Sequence, residues 1–336
     1  VILSGLEWGL LAAALAVVAF LAHRGGSKPG STPPTRDNGE PALPSRGSSV
    51  FSSQSTLTPL RFGKWRLVER VGKGGTSVVY RAVPINAEDT IEASVAIKIF
   101  ESKMTQNADF RRRFDREVKA CHTLEHPSMV QLIDSGERDG RIYMVMELLR
   151  GKSLRGHLKG DGEGLSIEQF MGWMRPLLEG ITYAHARGIV HRDLKPENVI
   201  VVGPEQVKIV DFGIAHGFEL DNITTTGRVI GTVAYIPMER MQGVSDDPRS
   251  DQYALGVMAY EMLAGRRPFV DNLSVLPYMQ GDPPALDEIR PEVPPDLADV
   301  IARMMARDRE DRYETLQEAF DDMLAAVGDP QQTFES

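Results

Sequence analysis

Between His191 and Asp211 the chain gathers residue types that handle phosphate together with a divalent cation. His191-Arg192-Asp193-Leu194-Lys195-Pro196-Glu197-Asn198 runs into Val199-Ile200-Val201-Val202, a Gly203-Pro204-Glu205-Gln206 turn and a second short stretch ending at Val210, before Asp211-Phe212-Gly213. Apolar runs on either side of a Gly-Pro turn predict a β-hairpin with polar ends. Antiparallel pairing sets the residue before the first strand beside the residue after the second, so Asn198 and Asp211 meet at one mouth. An amide oxygen and a carboxylate, with Asp193 and Lys195 just upstream, form an oxygen-rich pocket suited to a hard cation that also holds phosphate oxygens.

The elements that would face this pocket lie earlier in the chain. Arg66 to Glu69 and Val78 to Val83 read as strands flanking Gly72-Lys73-Gly74-Gly75-Thr76-Ser77. Glycines there let backbone N–H groups approach phosphate oxygens, although a plain hairpin turn explains the loop equally well. In the strand Val95-Ala96-Ile97-Lys98, the period of two sets Ala96 and Lys98 on one face and Val95 and Ile97 on the other. A small residue beside a long cation fits a ceiling over a base, with an ammonium reaching phosphate. From Asn107 to Leu124 a helical stripe runs Phe110, Phe114, Glu117, Cys121, Leu124, so Glu117 lies within an apolar face. A carboxylate in that setting is costly without a partner.

HRDLKPEN followed by DFG resembles the catalytic core of eukaryotic-type (Hanks-type) serine/threonine protein kinases, in the bacterial eukaryotic-like group, over about Phe62 to Val327. The resemblance implies an α+β, bilobal protein-kinase fold: a small antiparallel β-sheet lobe with one helix, and a larger, mainly helical lobe. It implies transfer of the ATP γ-phosphate to Ser/Thr hydroxyls of protein substrates, with Mg2+ or alternatively Mn2+. Asp193 would orient the acceptor hydroxyl, and Lys195 would neutralise the transferring phosphoryl group and marks Ser/Thr rather than Tyr specificity. Lys98 would pair with Glu117, and Asn198 and Asp211 would hold the metal. The nucleotide would lie among Val71, Gly72, Lys73, Gly74, Gly75, Thr76, Ser77, Val79, Ala96, Lys98, Met146, Glu147, Leu149 and Ile200. Within that set, Met146 is the gatekeeper, and the Glu147 carbonyl and Leu149 N–H meet the adenine edge. Ser77 stands where the family has a third glycine. Cys121 would stack with Leu132, Phe212 and His191 as an internal spine.

By the same resemblance, Arg192 marks a kinase whose activation segment is ordered by phosphate, on one of Thr224, Thr225 or Thr226, while Thr232 shapes the substrate groove. Glu197 is open to two readings, a reader of a basic residue upstream of the phosphoacceptor or a polar loop residue. The closing motif reads Pro237-Met238-Glu239 instead of Ala-Pro-Glu, and Glu239 expects Arg312 as its buried partner. Ser250-Asp251 before Tyr253 to Leu263 predicts a capped, almost wholly apolar helix, with Asp251 binding the catalytic-loop backbone. Helices are further predicted over Pro295 to Met305 and Thr315 to Ala326.

Residues 1–23 are almost uncharged and just long enough for a membrane-spanning helix; its apolar run ends at Ala22, and His23, Arg24 and Lys28 come after that run. This predicts a single-pass anchor in the cytoplasmic membrane with the remainder in the cytoplasm. A Ser/Gly/Pro-rich linker follows over 24–60, then the kinase domain over 61–327 (small lobe 61–147, large lobe 148–327) and a tail over 328–336. A net charge of −9 disfavours nucleic acid as a partner, and the lone Cys121 excludes an intrachain disulfide. A homodimer is the expected arrangement for autophosphorylation in trans. The rival reading is a pseudokinase scaffold that binds nucleotide without turnover, supported by the weakened glycine loop and altered closing motif. Against it stand Lys98, Asp193 and Asp211, all present. A small-molecule phosphotransferase would share the aspartate and asparagine but would lack the segment bearing Gly231, Thr232 and Glu239.

Overall fold

The computed structural model describes residues 60–158, 162–212, 233–243, 247–269 and 281–328, apart from the side chain of Glu117. The predicted membrane anchor, the linker up to residue 59, Thr224, Thr225, Thr226 and Thr232 lie outside the described residues. Among the described residues, no helix is long and apolar enough to cross a membrane.

The amino-terminal part is built on six strands: β1 (Leu60–Phe62), β2 (Trp65–Lys73), β3 (Ser77–Pro84), β4 (Val95–Phe100), β5 (Leu132–Arg138) and β6 (Arg141–Glu147). They pair antiparallel in the order β1-β2-β3-β4-β6-β5. Alternation along β4 divides two small cores. Val95, Ile97 and Ile99 pack with Trp65, Leu67 and Val145 on one face. Phe100 joins Phe110, Phe114, Val118 and Met144 beneath helix α1 (Ala108–Cys121) on the other. The Phe100 ring lies 5.2 Å from Phe110 and 5.7 Å from Phe114, edge to face in each case. Asn107 starts α1 by accepting from the N–H groups of Asp109 and Phe110, so two otherwise unpaired donors are satisfied. The predicted apolar stripe is present at Phe110 and Phe114, but the helix stops at Cys121. Leu124 is buried from the turn beyond it.

The carboxyl-terminal part packs helices around a small three-stranded sheet. The strands are β7 (Lys152–Ser153), β8 (Val199–Gly203) and β9 (Gln206–Ile209), in the order β7-β8-β9. Four longer helices follow the chain: α2 (Ile167–His185), α3 (Arg249–Ala264), α4 (Pro295–Met304) and α5 (Leu316–Ala326). Every residue of α3 from Ser250 to Ala264 is buried, as its all-round apolar character requires. At Gly256 a Cβ would come within 2.8 Å of Met305 and 2.9 Å of Met304, so glycine permits the close crossing of α3 and α4. One expectation fails here. Ser250 does not cap α3, because Pro248 occupies that position and Ser250 sits within the first turn, donating its hydroxyl to Glu239. Thr315 does cap α5, accepting from Glu318 N.

Candidate active site

The predicted hairpin forms, with Val199 opposite Ile209 and Val201 opposite Val207. Val210 N donates to Asn198 O at 2.9 Å, which brings the two candidate metal-bearing positions together at its mouth. Asn198 closes a 3-10 turn that begins at Pro196, and its side-chain N–H2 donates to Asp193 O at 2.8 Å and Asp193 Oδ2 at 2.9 Å. With its nitrogen spent on Asp193, the amide presents its oxygen elsewhere, as a cation ligand must. Lys195 Nζ lies 3.0 Å from Asp193 Oδ1 and 2.8 Å from Oδ2. Asp193, Lys195 and Asn198 thus form one contiguous group.

From the other side, Lys98 Nζ donates to Asp211 Oδ1 at 2.6 Å across 113 residues of sequence. The strand register explains its aim. Val79 stands opposite Lys98, and Ala96 opposite Met146. Opposed residues share a face, so Val79, Ala96, Lys98 and Met146 line one side of the sheet. The partner expected for Lys98 was Glu117, whose side chain lies outside the described residues; the bond of Lys98 to Asp211 is the one described.

β2 reaches Lys73 and β3 begins at Ser77, so the glycine loop is a tight turn over Gly74, Gly75 and Thr76, with Gly72 and Lys73 in strand. Gly74 N donates to Ser77 O at 2.9 Å, and Thr76 O accepts from Glu101 N at 2.9 Å. A Cβ built on Gly72 or Gly75 would meet nothing within 4 Å, and neither residue has a positive φ. Among the described residues no contact therefore demands glycine at those two positions, whereas a phosphate lying against the backbone would. Val71 sits at a register shift in β2 and is 59% exposed; Leu149 and Ile200 are half-buried.

Beneath the site, buried Asp251 organises the catalytic loop. Its carboxylate accepts from His191 N at 2.7 Å, Arg192 N at 2.9 Å and His185 Nε2 at 2.9 Å. Burial pushes this carboxyl up, but hydrogen bonding to His185, the histidine charges and the His191 N–H outweigh it and hold it below the usual carboxylate range. His191 Nε2 donates to Val210 O at 3.1 Å, while its Nδ1 accepts from Asp193 N at 3.2 Å. A carbonyl can only accept and an N–H only donate, so one neutral tautomer satisfies both bonds. Burial accordingly pulls His191 below its ordinary value. The His191 and Phe212 rings lie 4.6 Å apart, and Cys121, Leu132 and Phe212 line one cavity of about 20 Å3, in accord with the expected spine. Arg192 and Asp211 both have left-handed backbones, φ 68° and 60°, costly for residues with a Cβ. At Arg192 the conformation is held by the bond of its N–H to Asp251 and by Arg240, which donates to its carbonyl.

Four participants escape sequence reasoning: Arg155, Tyr235, Glu261 and Lys208. Arg155 donates Nε to Glu197 at 2.8 Å and Nη1 to Glu261 at 2.6 Å, and Tyr235 hydrogen-bonds the same Glu261. Glu197 therefore already carries an internal cation, which favours the polar-loop reading over recognition of a basic substrate residue. Lys208 joins Glu147 at the end of β6, where the chain leaves the six-stranded sheet through a hinge formed by Glu147 to Leu149. Both cations look like ordinary surface residues in sequence; their partners lie 42 to 106 residues away.

Asp211 and Asn198 supply too few oxygens for a six-coordinate ion, so phosphate or water oxygens would complete the shell. Among the described residues no cluster of three His, Cys, Asp or Glu could hold a metal unaided. The donor set fits a metal that arrives with a nucleotide.

A family model described as the protein kinase domain matches residues 65–323. The serine/threonine-protein kinase PrkC of Bacillus subtilis is 34% identical over 267 residues, covering 79% of this chain and 40% of PrkC. The serine/threonine-protein kinase PknL of Mycobacterium tuberculosis is 34% identical over 247 residues, covering 73% of this chain and 61% of PknL. The chain thus spans less than two thirds of either relative's length. The crystal structure of the Mycobacterium tuberculosis PknI kinase domain superposes with a TM-score of 0.64 at 27% identity, covering 80% of this chain and 99% of that one.

Proposed function

The chain belongs to the protein kinase domain family, and from that premise we propose that it is a serine/threonine protein kinase, transferring the γ-phosphate of ATP to protein hydroxyls and to its own activation segment. The observation that carries this reading is convergence. Lys98 of the six-stranded sheet reaches Asp211 at 2.6 Å, while Asp193, Lys195 and Asn198 are linked beside the mouth of the same hairpin. A scaffold that only bound nucleotide would have no need of the second group.

In this reading the Glu147 carbonyl and Leu149 N–H hold the adenine edge, and the glycine turn covers the phosphates. Mg2+, held by Asp211 and Asn198, would draw charge from the phosphate oxygens when bound. Lys98 then exchanges Asp211 for a phosphate oxygen. Asp193 aligns the acceptor hydroxyl and takes its proton, and Lys195 offsets negative charge on the group in transit. Phosphorylation at Thr224, Thr225 or Thr226 would give Arg192 an anionic partner, and a second copy of the chain would serve as the first substrate.

Radiolabel transfer from Mg-ATP to the full chain and to a generic acceptor protein tests this, with phosphothreonine and phosphoserine as products. Asp193→Asn should reduce transfer at least about a hundredfold. Equal labelling of that variant and the wild type would remove Asp193 from the mechanism. Residues 1–23 are proposed as a membrane anchor that leaves the kinase domain cytoplasmic, on their apolar run and the cations after it. Release of the full chain from membranes by alkaline washing would refute the anchor.

A further inference from the structure

We infer that Lys208 is a positioning residue that ties the adenine end of the nucleotide site to its metal end, an inference that rests on the nucleotide-binding reading above. Lys208 lies on β9 between buried Val207 and Ile209, three residues before Asp211. Its ammonium donates to Glu147 Oε1 at 2.7 Å and to Met129 O at 3.0 Å. The same Glu147 oxygen accepts from Gln131 N at 2.8 Å, and Glu147 N donates to Gln131 O at 3.1 Å. Glu147 is therefore held by main chain and side chain at the point where β6 ends. The β9 backbone grips the same neighbourhood, since Ile209 N donates to Ser128 O at 2.7 Å and Val130 N to Ile209 O at 3.0 Å.

One ammonium thus joins the hinge, the segment leading into β5 and the hairpin that ends in Asp211. A surface lysine with no such role would leave its head in water, but the Lys208 side chain is only 21% exposed and spends two donors on fixed acceptors. ATP would be gripped at both ends, by the hinge and by the metal site, so its affinity depends on the spacing between them. Adenosine would be gripped at one end only. Releasing the clamp leaves each end intact while letting the spacing vary, which weakens only the ligand that spans both.

Calorimetric titration of the full chain with Mg-ATP and, separately, with adenosine tests this in wild type, Lys208→Met and Lys208→Arg, with melting temperatures as a control on folding. Lys208→Met should weaken Mg-ATP about tenfold and leave adenosine within about twofold. Lys208→Arg, which keeps charge and donors, should recover most of the loss. Equal weakening of both ligands would mean a damaged hinge and would overturn the inference. Unchanged or tighter Mg-ATP binding in Lys208→Met would overturn it as well. Should Lys208→Met fail to fold, Lys208→Gln gives the same comparison, because it removes the charge while keeping a polar head on the strand. Wild-type chain that binds no Mg-ATP sinks the nucleotide reading and the clamp together; wild-type binding matched by Lys208→Met sinks the clamp alone.

Discussion

Two ion pairs of nearly equal length serve opposite ends in this molecule. Lys98 meets Asp211 at 2.6 Å and Arg312 meets Glu239 at 2.7 Å, yet their surroundings differ. The Asp211 side chain is 36% exposed, and only one of its oxygens receives Lys98. Arg312 has no exposure, grips both oxygens of Glu239, and spends further donors on the carbonyls of Arg249, Ala306 and Arg307. Glu239 also accepts from the Ser250 hydroxyl. Length alone says little about an ion pair. A half-buried single contact whose carboxylate still reaches solvent can exchange one anion for another, as a phosphate-binding lysine must, whereas a desolvated fork with its remaining donors satisfied can only stay as it is.

Breaking each pair in turn should separate stability from chemistry. Removing Arg312 as Arg312→Ala strands a buried carboxylate, so the domain should lose about 3–5 kcal/mol in denaturant melts. Lys98→Met leaves Asp211 free to hydrate, so its stability should stay within about 1 kcal/mol of wild type. Its phosphoryl transfer should nonetheless fall by a factor of about 100 to 1,000. Equal destabilisation by the two variants would erase the distinction drawn between the pairs.

Much of this contrast is legible in the chain. The hairpin from Val199 to Ile209 is written in two apolar runs and a Gly-Pro turn, and the facing of Lys98 follows from strand alternation, because both depend on neighbours in sequence. The pairing of Glu239 with Arg312 and the hold of Asp251 on the catalytic loop follow from family resemblance, and both are present. What local pattern misses is set by tertiary partners. Ser250 has the residue type of a helix cap, yet its hydroxyl is drawn to Glu239, eleven residues away in sequence. Lys208 alternates with buried neighbours as a solvent-facing strand residue does, and only the arrival of Glu147, 61 residues away, gives it a fixed position. The left-handed backbones of Arg192 and Asp211 leave no trace either, since neither residue is glycine.

The smallest expected effect concerns acid, and it sharpens the comparison by asking whether the catalytic loop shares the rigidity of the buried pair. His191 is wholly buried, with Asp251, Asp193 and Asp211 as the charges that bear on it, and burial holds it below its ordinary value of 6.5. In the unfolded chain the imidazole takes up its proton near 6.5, while in the folded chain Nδ1 faces the Asp193 N–H and resists. The unfolded state therefore binds more protons as pH falls below 6.5, and stability should drop with a slope of at most about 1.4 kcal/mol per pH unit from this group. His126 and His157, also pulled down by burial, add in the same direction. Asp251, held below its usual 3.8 in spite of burial, contributes stability above that pH and loses it only under stronger acid. Urea melts from pH 7 to pH 5 should show the first decline, and His191→Gln should make it shallower, leaving the part that His126 and His157 supply. A wild-type profile flat across that range would mean that the loop accommodates a charged imidazole and is less firmly set than the buried pair of Arg312 and Glu239.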